Sequence, residues 1–153
     1  AAVHLREAVA THLMDRRRDA ALGGWFTLTN ADEIPSPALL LFTERIEANL
    51  QEMLRIAGGP ERLRPHIKTH KLPELLQRQV QLGITRFKCA TIAEAEMAAA
   101  NGARDVLLAY QPIGPNVGRL LKLAARFKTV KFSCLADDAR VLGELSAEAD
   151  RAG

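Results

Sequence analysis

The sequence predicts an α/β protein on a parallel sheet, and three observations carry that expectation. Apolar segments of strand length begin near residues 38, 63, 87, 105 and 129. An amphipathic stretch with helical spacing follows each of them. Their separation is that of a βα unit, and strict alternation of this kind builds a parallel sheet with right-handed crossovers. A doubly wound sheet and a barrel both fit. The turn after the first strand, Phe42-Thr43-Glu44-Arg45, has no glycine-rich fingerprint, which argues against a dinucleotide-binding domain.

Residues 1–22 predict a helix, with Val3, Leu5, Val9, Leu13 and Met14 near one stripe, Arg16 to Arg18 on its solvated face and Gly23-Gly24 at its end. Trp25–Thr29 reads as a short strand. Asn30–Pro37 carries two prolines and reads as linker, so an N-terminal segment, 1–34, precedes the βα part, 35–153. In that part, strand Ala38–Phe42 leads to a helix over Glu44–Ala57 with Ile46, Leu50, Met53 and Leu54 in phase, stopped by Gly58-Gly59-Pro60. Leu63–Lys68 is the second strand. Pro73 opens a helix through Leu82, capped by Gly83. Phe87–Thr91 is the third strand, and Thr91-Ile92-Ala93-Glu94 fits a capping box for a helix over Ala93–Ala100. Asp105–Tyr110 is the fourth strand, followed by a helix from Pro115 to Phe127. Val130–Leu135 is the fifth, and Asp137-Asp138 starts a last helix.

Composition narrows the function classes. With 153 residues, 48% hydrophobic and 25% charged, the chain is neither disordered nor a disulfide-stapled miniprotein; Cys89 and Cys134 sit in apolar strand segments as buried, inert thiols. The net charge of +3 is spread along the chain, and one Trp and one Tyr make no stacking ladder, which argues against nucleic acid as a partner. No run reaches the ~18 apolar residues of a membrane span. No apolar signal-peptide core opens the sequence, so the expected location is cytoplasmic. A (β/α)8 barrel has eight units and the five here end at Gly153, so a barrel would be incomplete.

The sharpest local feature is Leu63-Arg-Pro-His-Ile-Lys-Thr-His-Lys71. On a strand, Arg64, His66 and Lys68 share one face and Pro65 and Ile67 the other. The polar trio then faces a barrel interior, with Lys68 at the carboxyl-terminal mouth where barrel enzymes do chemistry. A lysine there suits amine nucleophile chemistry, including a Schiff base with pyridoxal phosphate. Lys71 lies past the strand end and reads as solvated. His66 and His70 have a zinc-like spacing but no third ligand, so no metal is assigned. Thr91 reads first as a helix cap and second as a cofactor contact. Tyr110 ends the fourth strand at the same mouth, lining a cofactor pocket or capping a barrel.

Four segments together resemble the fold-type III pyridoxal-phosphate enzymes of the alanine racemase N-terminal-domain group, in the branch of D-threonine aldolase and D-serine dehydratase. They are Pro35-Ser-Pro-Ala-Leu-Leu-Leu41, Arg64-Pro-His-Ile-Lys-Thr-His-Lys71, Cys89-Ala-Thr-Ile-Ala-Glu-Ala-Glu96 and Asp105-Val-Leu-Leu-Ala-Tyr110. The resemblance runs from about residue 25 to the end. It implies a TIM-type (β/α) barrel, here its first five units, with the Trp25–Thr29 strand joining a β-domain beyond this chain. It implies that Lys68 forms the internal aldimine with pyridoxal 5'-phosphate, with His66, Thr91 and Tyr110 as cofactor contacts. It further implies a lyase acting on β-hydroxy-D-amino acids by retro-aldol cleavage or dehydration, a divalent metal and a phosphate loop held by residues outside this chain, and a homodimer of the full-length protein. An amino-acid racemase, a non-catalytic pyridoxal-phosphate-binding protein and a purely structural fragment are the alternatives; the Trp25–Thr29 strand counts against the second.

Overall fold

The computed structural model describes residues 28–152. The helix expected over 1–22 and most of the Trp25–Thr29 strand lie outside the described residues; Leu28 and Thr29 are not in a strand. The chain divides into two compact units, Ala1–Gln51 and Glu52–Gly153.

In the first unit a short 3-10 turn, Ala31–Glu33, falls in the proline-bearing linker, and helix α1, Thr43–Ala57, begins. The strand expected over Ala38–Phe42 is not formed. These residues make no ladder, and Leu39, Leu40 and Leu41 are exposed. An apolar run becomes a strand only where a neighbouring strand takes its N–H and C=O groups, and residues 38–42 enter no described ladder; the Phe42 carbonyl instead accepts the N–H groups of Arg45 and Ile46 in α1.

The second unit carries the βα alternation. Its elements are α2 (Pro73–Gln81), β1 (Arg86–Cys89), α3 (Ile92–Ala100), β2 (Asp105–Leu108), α4 (Pro115–Arg126), β3 (Lys131–Cys134) and α5 (Ala139–Ala152). The strands form a parallel sheet in the order β1-β2-β3, in the register Arg86–Asp105–Lys131 through Cys89–Leu108–Cys134. The alternation read from the sequence is therefore present, with three strands among the described residues where five are expected.

The second expected strand, Leu63–Lys68, is reduced to one parallel bridge, His66 to Lys88. Proline explains this. Pro65 has no N–H to donate, although its carbonyl accepts Lys88 N–H at 2.9 Å. The His66 ring then takes Lys68 N–H on Nδ1 at 3.2 Å, which starts a 3-10 turn over Ile67–Thr69. Lys68 accordingly stands on a turn beyond the sheet edge rather than on a strand.

Alternation along the strands sorts side chains onto two faces. Phe87, Cys89, Val106 and Leu108 are at most 1% exposed and pack with Ile92, Ala95 and Ala98 of α3 and Leu120 and Leu123 of α4. Alanines on the inner side of α3 let it lie close on the sheet. Ile67, Leu76, Ile84 and Ala103 complete the cluster, each fully buried large side chain contributing about 1.5–3 kcal/mol. The other face carries Arg86, Lys88, Asp105, Leu107, Lys131 and Ser133, none of them fully buried.

The helix boundaries follow the expected signals. Pro73 and Pro115 stand at the first helical positions, where a missing N–H costs nothing. Gly83 follows α2 with φ +89°, and a Cβ there would meet the Pro60 ring at 3.1 Å, so both backbone and space call for glycine. Asp138 accepts Val141 N–H at 3.0 Å and caps α5.

Candidate active site

Parallel strands bring their carboxyl ends to one edge of a sheet, where α/β enzymes collect their reactive groups. Among the segments that leave the sheet there are the 66–72 turn, the Ala90-Thr91 turn into α3, and the 109–114 stretch into α4. Gln111 ties the last of these to the turn after β3, its Oε1 accepting the N–H groups of Asp137 and Asp138 at 2.8 and 3.1 Å.

Two histidines shape the turn that carries Lys68. The Nδ1 of His66 accepts Lys68 N–H, and the Nδ1 of His70 accepts Leu72 N–H at 3.1 Å. Each ring thus closes a small loop on the backbone two residues ahead. Both nitrogens named are acceptors, which leaves each neutral ring its N–H at Nε2. Burial pushes the His66 ring below its usual pKa, and the Lys68 and Lys88 ammonium groups push it the same way. Burial lowers His70 too, against the opposing charge of Glu94. His70 Nε2 is buried without a hydrogen-bond partner among the described residues. The backbone closes the same turn through Lys71 N–H to Ile67 C=O at 2.9 Å, with Lys71 at φ +51°.

Lys68 itself is exposed at this edge. Among the described residues its amine has no ion-pair or hydrogen-bond partner. The expected sorting of neighbouring side chains holds below it: Ile67 is fully buried, while Arg64 reaches over the open face of the sheet to Asp105.

Thr91 does cap α3, its Oγ1 accepting Glu94 N–H at 3.1 Å, and Glu94 Oε2 returns the contact by accepting Ala90 N–H at 2.8 Å. The Thr91 hydroxyl proton remains available to a ligand. Tyr110 is half-buried and packs against the apolar helix-side cluster. The structure therefore brings Lys68, His66 and Thr91 to one edge and sets the Tyr110 ring on the core beside them.

The capping box at Glu94 was legible, but its second role was not. Its carboxylate is buried, 6% exposed, and stands 3.5 Å from Lys71 Nζ. Lys71, expected to be solvated, is 63% exposed and is in addition the ion-pair partner of Glu94. Burial pushes the Cys89 thiol, next to this turn, up to about 12. It is an inert core group, as expected.

The donor set fits an aldehyde cofactor that is held through an amine: a primary amine without a partner among the described residues, imidazoles around its turn that accept backbone N–H groups on Nδ1, and the Thr91 hydroxyl. Among the described residues no three His, Cys, Asp or Glu side chains could hold a metal. No described helix is long and apolar enough to cross a membrane.

Residues 42–152 match the family model described as alanine racemase, N-terminal domain. The chain is 33% identical over 121 residues to the D-threonine aldolase of an Arthrobacter species, covering 78% of this chain and 31% of that protein. It is 32% identical over 124 residues to the 3-hydroxy-D-aspartate aldolase of Paracoccus denitrificans, covering 79% and 32%. The crystal structure of D-threonine aldolase from Filomicrobium marinum superposes with a TM-score of 0.70 at 33% identity, covering 80% of this chain and 33% of that one. The chain spans about a third of the length of the relatives it matches.

Proposed function

This chain belongs to the alanine racemase N-terminal-domain family, and from that premise we propose that the whole protein is a pyridoxal-phosphate-dependent lyase acting on β-hydroxy-D-amino acids by retro-aldol cleavage. One observation carries the proposal: an exposed amine without a partner among the described residues, Lys68, on a histidine-shaped turn at the carboxyl edge of a parallel sheet. The two aldolases among its relatives act, by their names, on D-amino acids with a hydroxyl at the β-carbon. That shared chemistry supports the substrate class.

In this proposal Lys68 holds the cofactor, with His66, Thr91 and Tyr110 as its further contacts in this chain. When bound, pyridoxal phosphate supplies an electron sink for charge that develops at the substrate's Cα. The residues of the chain then do three things. Lys68 would hold the cofactor through its amine and would move a proton at the substrate's Cα on its own side. His66 orients Lys68 by holding its backbone N–H. Pro65 and Lys88 anchor the start of that turn to the sheet.

The same proposal makes this chain the first part of a (β/α)8 barrel, residues 35–153, following an N-terminal segment of 1–34. It also covers a homodimer and a cytoplasmic location for the full-length protein, which sedimentation and cell fractionation check.

The experiment is an assay of the full-length protein with D-threonine and with L-threonine. The expected result is glycine and acetaldehyde from the D-isomer alone, only with added pyridoxal phosphate. In Lys68→Ala, kcat should fall by about 10²–10⁴, the usual contribution of a positioned proton-transfer group. Ammonia and a keto acid as the products, or inversion of alanine, would overturn the retro-aldol assignment.

A further inference from the structure

Two primary amines stand on the same turn, Lys68 and Lys71. Either could condense with an aldehyde by chemistry alone, yet their surroundings differ. The Lys68 amine is exposed and has no partner among the described residues. Lys71 Nζ is drawn to 3.5 Å from Glu94 Oε1. Glu94 is itself fixed. Its other oxygen takes Ala90 N–H at 2.8 Å, its own N–H is held by Thr91 Oγ1 at 3.1 Å, and its side chain is 6% exposed. A carboxylate so held is a rigid acceptor, and the Lys71 side chain reaches it from solvent, itself 63% exposed.

We propose that Glu94 decides which lysine of this turn reacts: it engages Lys71 as an ion-pair partner and leaves Lys68 the amine open to an aldehyde. Nucleophilic attack needs an open nitrogen, and the contact with Glu94 occupies that of Lys71 while the Lys68 nitrogen has no such partner among the described residues. The ion pair also draws the Lys71 side chain toward the first turn of α3. Glu94 acts through Lys71 and is a positioning residue. The inference rests on Lys68 as the cofactor-bearing lysine.

The test reads the share of label on each lysine. Amine and aldehyde condense with loss of water, forming one carbon–nitrogen bond. Borohydride then adds hydride at carbon, a proton adds at nitrogen, and the label becomes permanent. Full-length protein is treated with pyridoxal phosphate and borohydride and mapped by peptide mass, and a parallel sample is treated with an amine-acylating reagent. Glu94→Gln removes the charge and retains an oxygen for Ala90 N–H. In both treatments Lys71's share should rise about threefold to tenfold in Glu94→Gln, the scale of one half-buried ion pair. Raising the salt concentration on the unaltered protein should move the share the same way, which serves if the variant fails to fold. An unchanged Lys71 share under the variant or, failing that, under salt overturns the proposal. A rise under acylation while pyridoxal phosphate marks neither lysine upholds Glu94's hold on Lys71 and overturns the cofactor reading instead.

Discussion

Arg64 grips Asp105 through two hydrogen bonds, Nη1 to Oδ1 at 2.9 Å and Nη2 to Oδ2 at 2.6 Å, reaching over β1 to do so. The same Nη1 lies 3.4 Å from the Phe87 carbonyl. Both side chains are partly buried, 29% and 18% exposed. Proline has cost the 63–66 segment most of its ladder, and this fork–fork pair fastens to β2 what the backbone cannot. It holds the base of the segment whose far end carries Lys68.

The pair should give stability a specific dependence on pH. The Arg64 guanidinium holds the Asp105 carboxyl below the ordinary aspartate range, and Lys131 and Arg86 add to the effect. A carboxyl depressed in the fold stabilises it at every pH above the ordinary aspartate range. That contribution disappears as pH falls from that range through the lower folded value. Asp105→Asn should lower the unfolding free energy by about 1–3 kcal/mol at neutral pH and flatten the acid limb of the curve. Denaturant melts from pH 7 to pH 2 measure both; an acid limb as steep as the unaltered protein's would remove the pair from the account.

Thr91→Ala should cost about 0.5–2 kcal/mol through loss of the α3 cap. Thr91→Ser, which keeps the oxygen, should recover most of it. Thermal melts of the three proteins check this, and equal loss in both variants would place the effect elsewhere.

The cysteines should separate by reactivity. Cys89 is fully buried and its thiol is pushed up to about 12; Cys134 is half-buried and raised by burial alone. A thiol-specific alkylating reagent at neutral pH should mark Cys134 first, and Cys89 only on unfolding. Equal native rates, read by peptide mass, would contradict the packing of β1 against α3.

The helices were legible because their signals are local. Prolines at 73 and 115, the Thr91–Glu94 box and glycine at 83 each act within a few residues of chain. Strands were legible where burial on one face enforces alternation, as in Phe87/Cys89 and Val106/Leu108. They misled where the ladder depends on a distant partner: Ala38–Phe42 has the composition of a strand without its hydrogen bonds, and Pro65 interrupts the next. At the site, the strand-face rule separated Arg64 from Ile67, while Lys68 stands on a 3-10 turn at the carboxyl edge of the sheet where the sequence reading has the end of a strand. The pairings of Arg64 with Asp105 and of Lys71 with Glu94 join residues 41 and 23 positions apart, and no spacing rule reaches that far.

The central claim is that Lys68 is the reactive amine of this protein. Borohydride reduction of the full-length protein with pyridoxal phosphate, followed by peptide mass mapping, tests it most directly. The account predicts a label on Lys68 that disappears in Lys68→Ala without moving to another lysine. A label carried mainly by Lys88 or by Lys71 in the unaltered protein would contradict it.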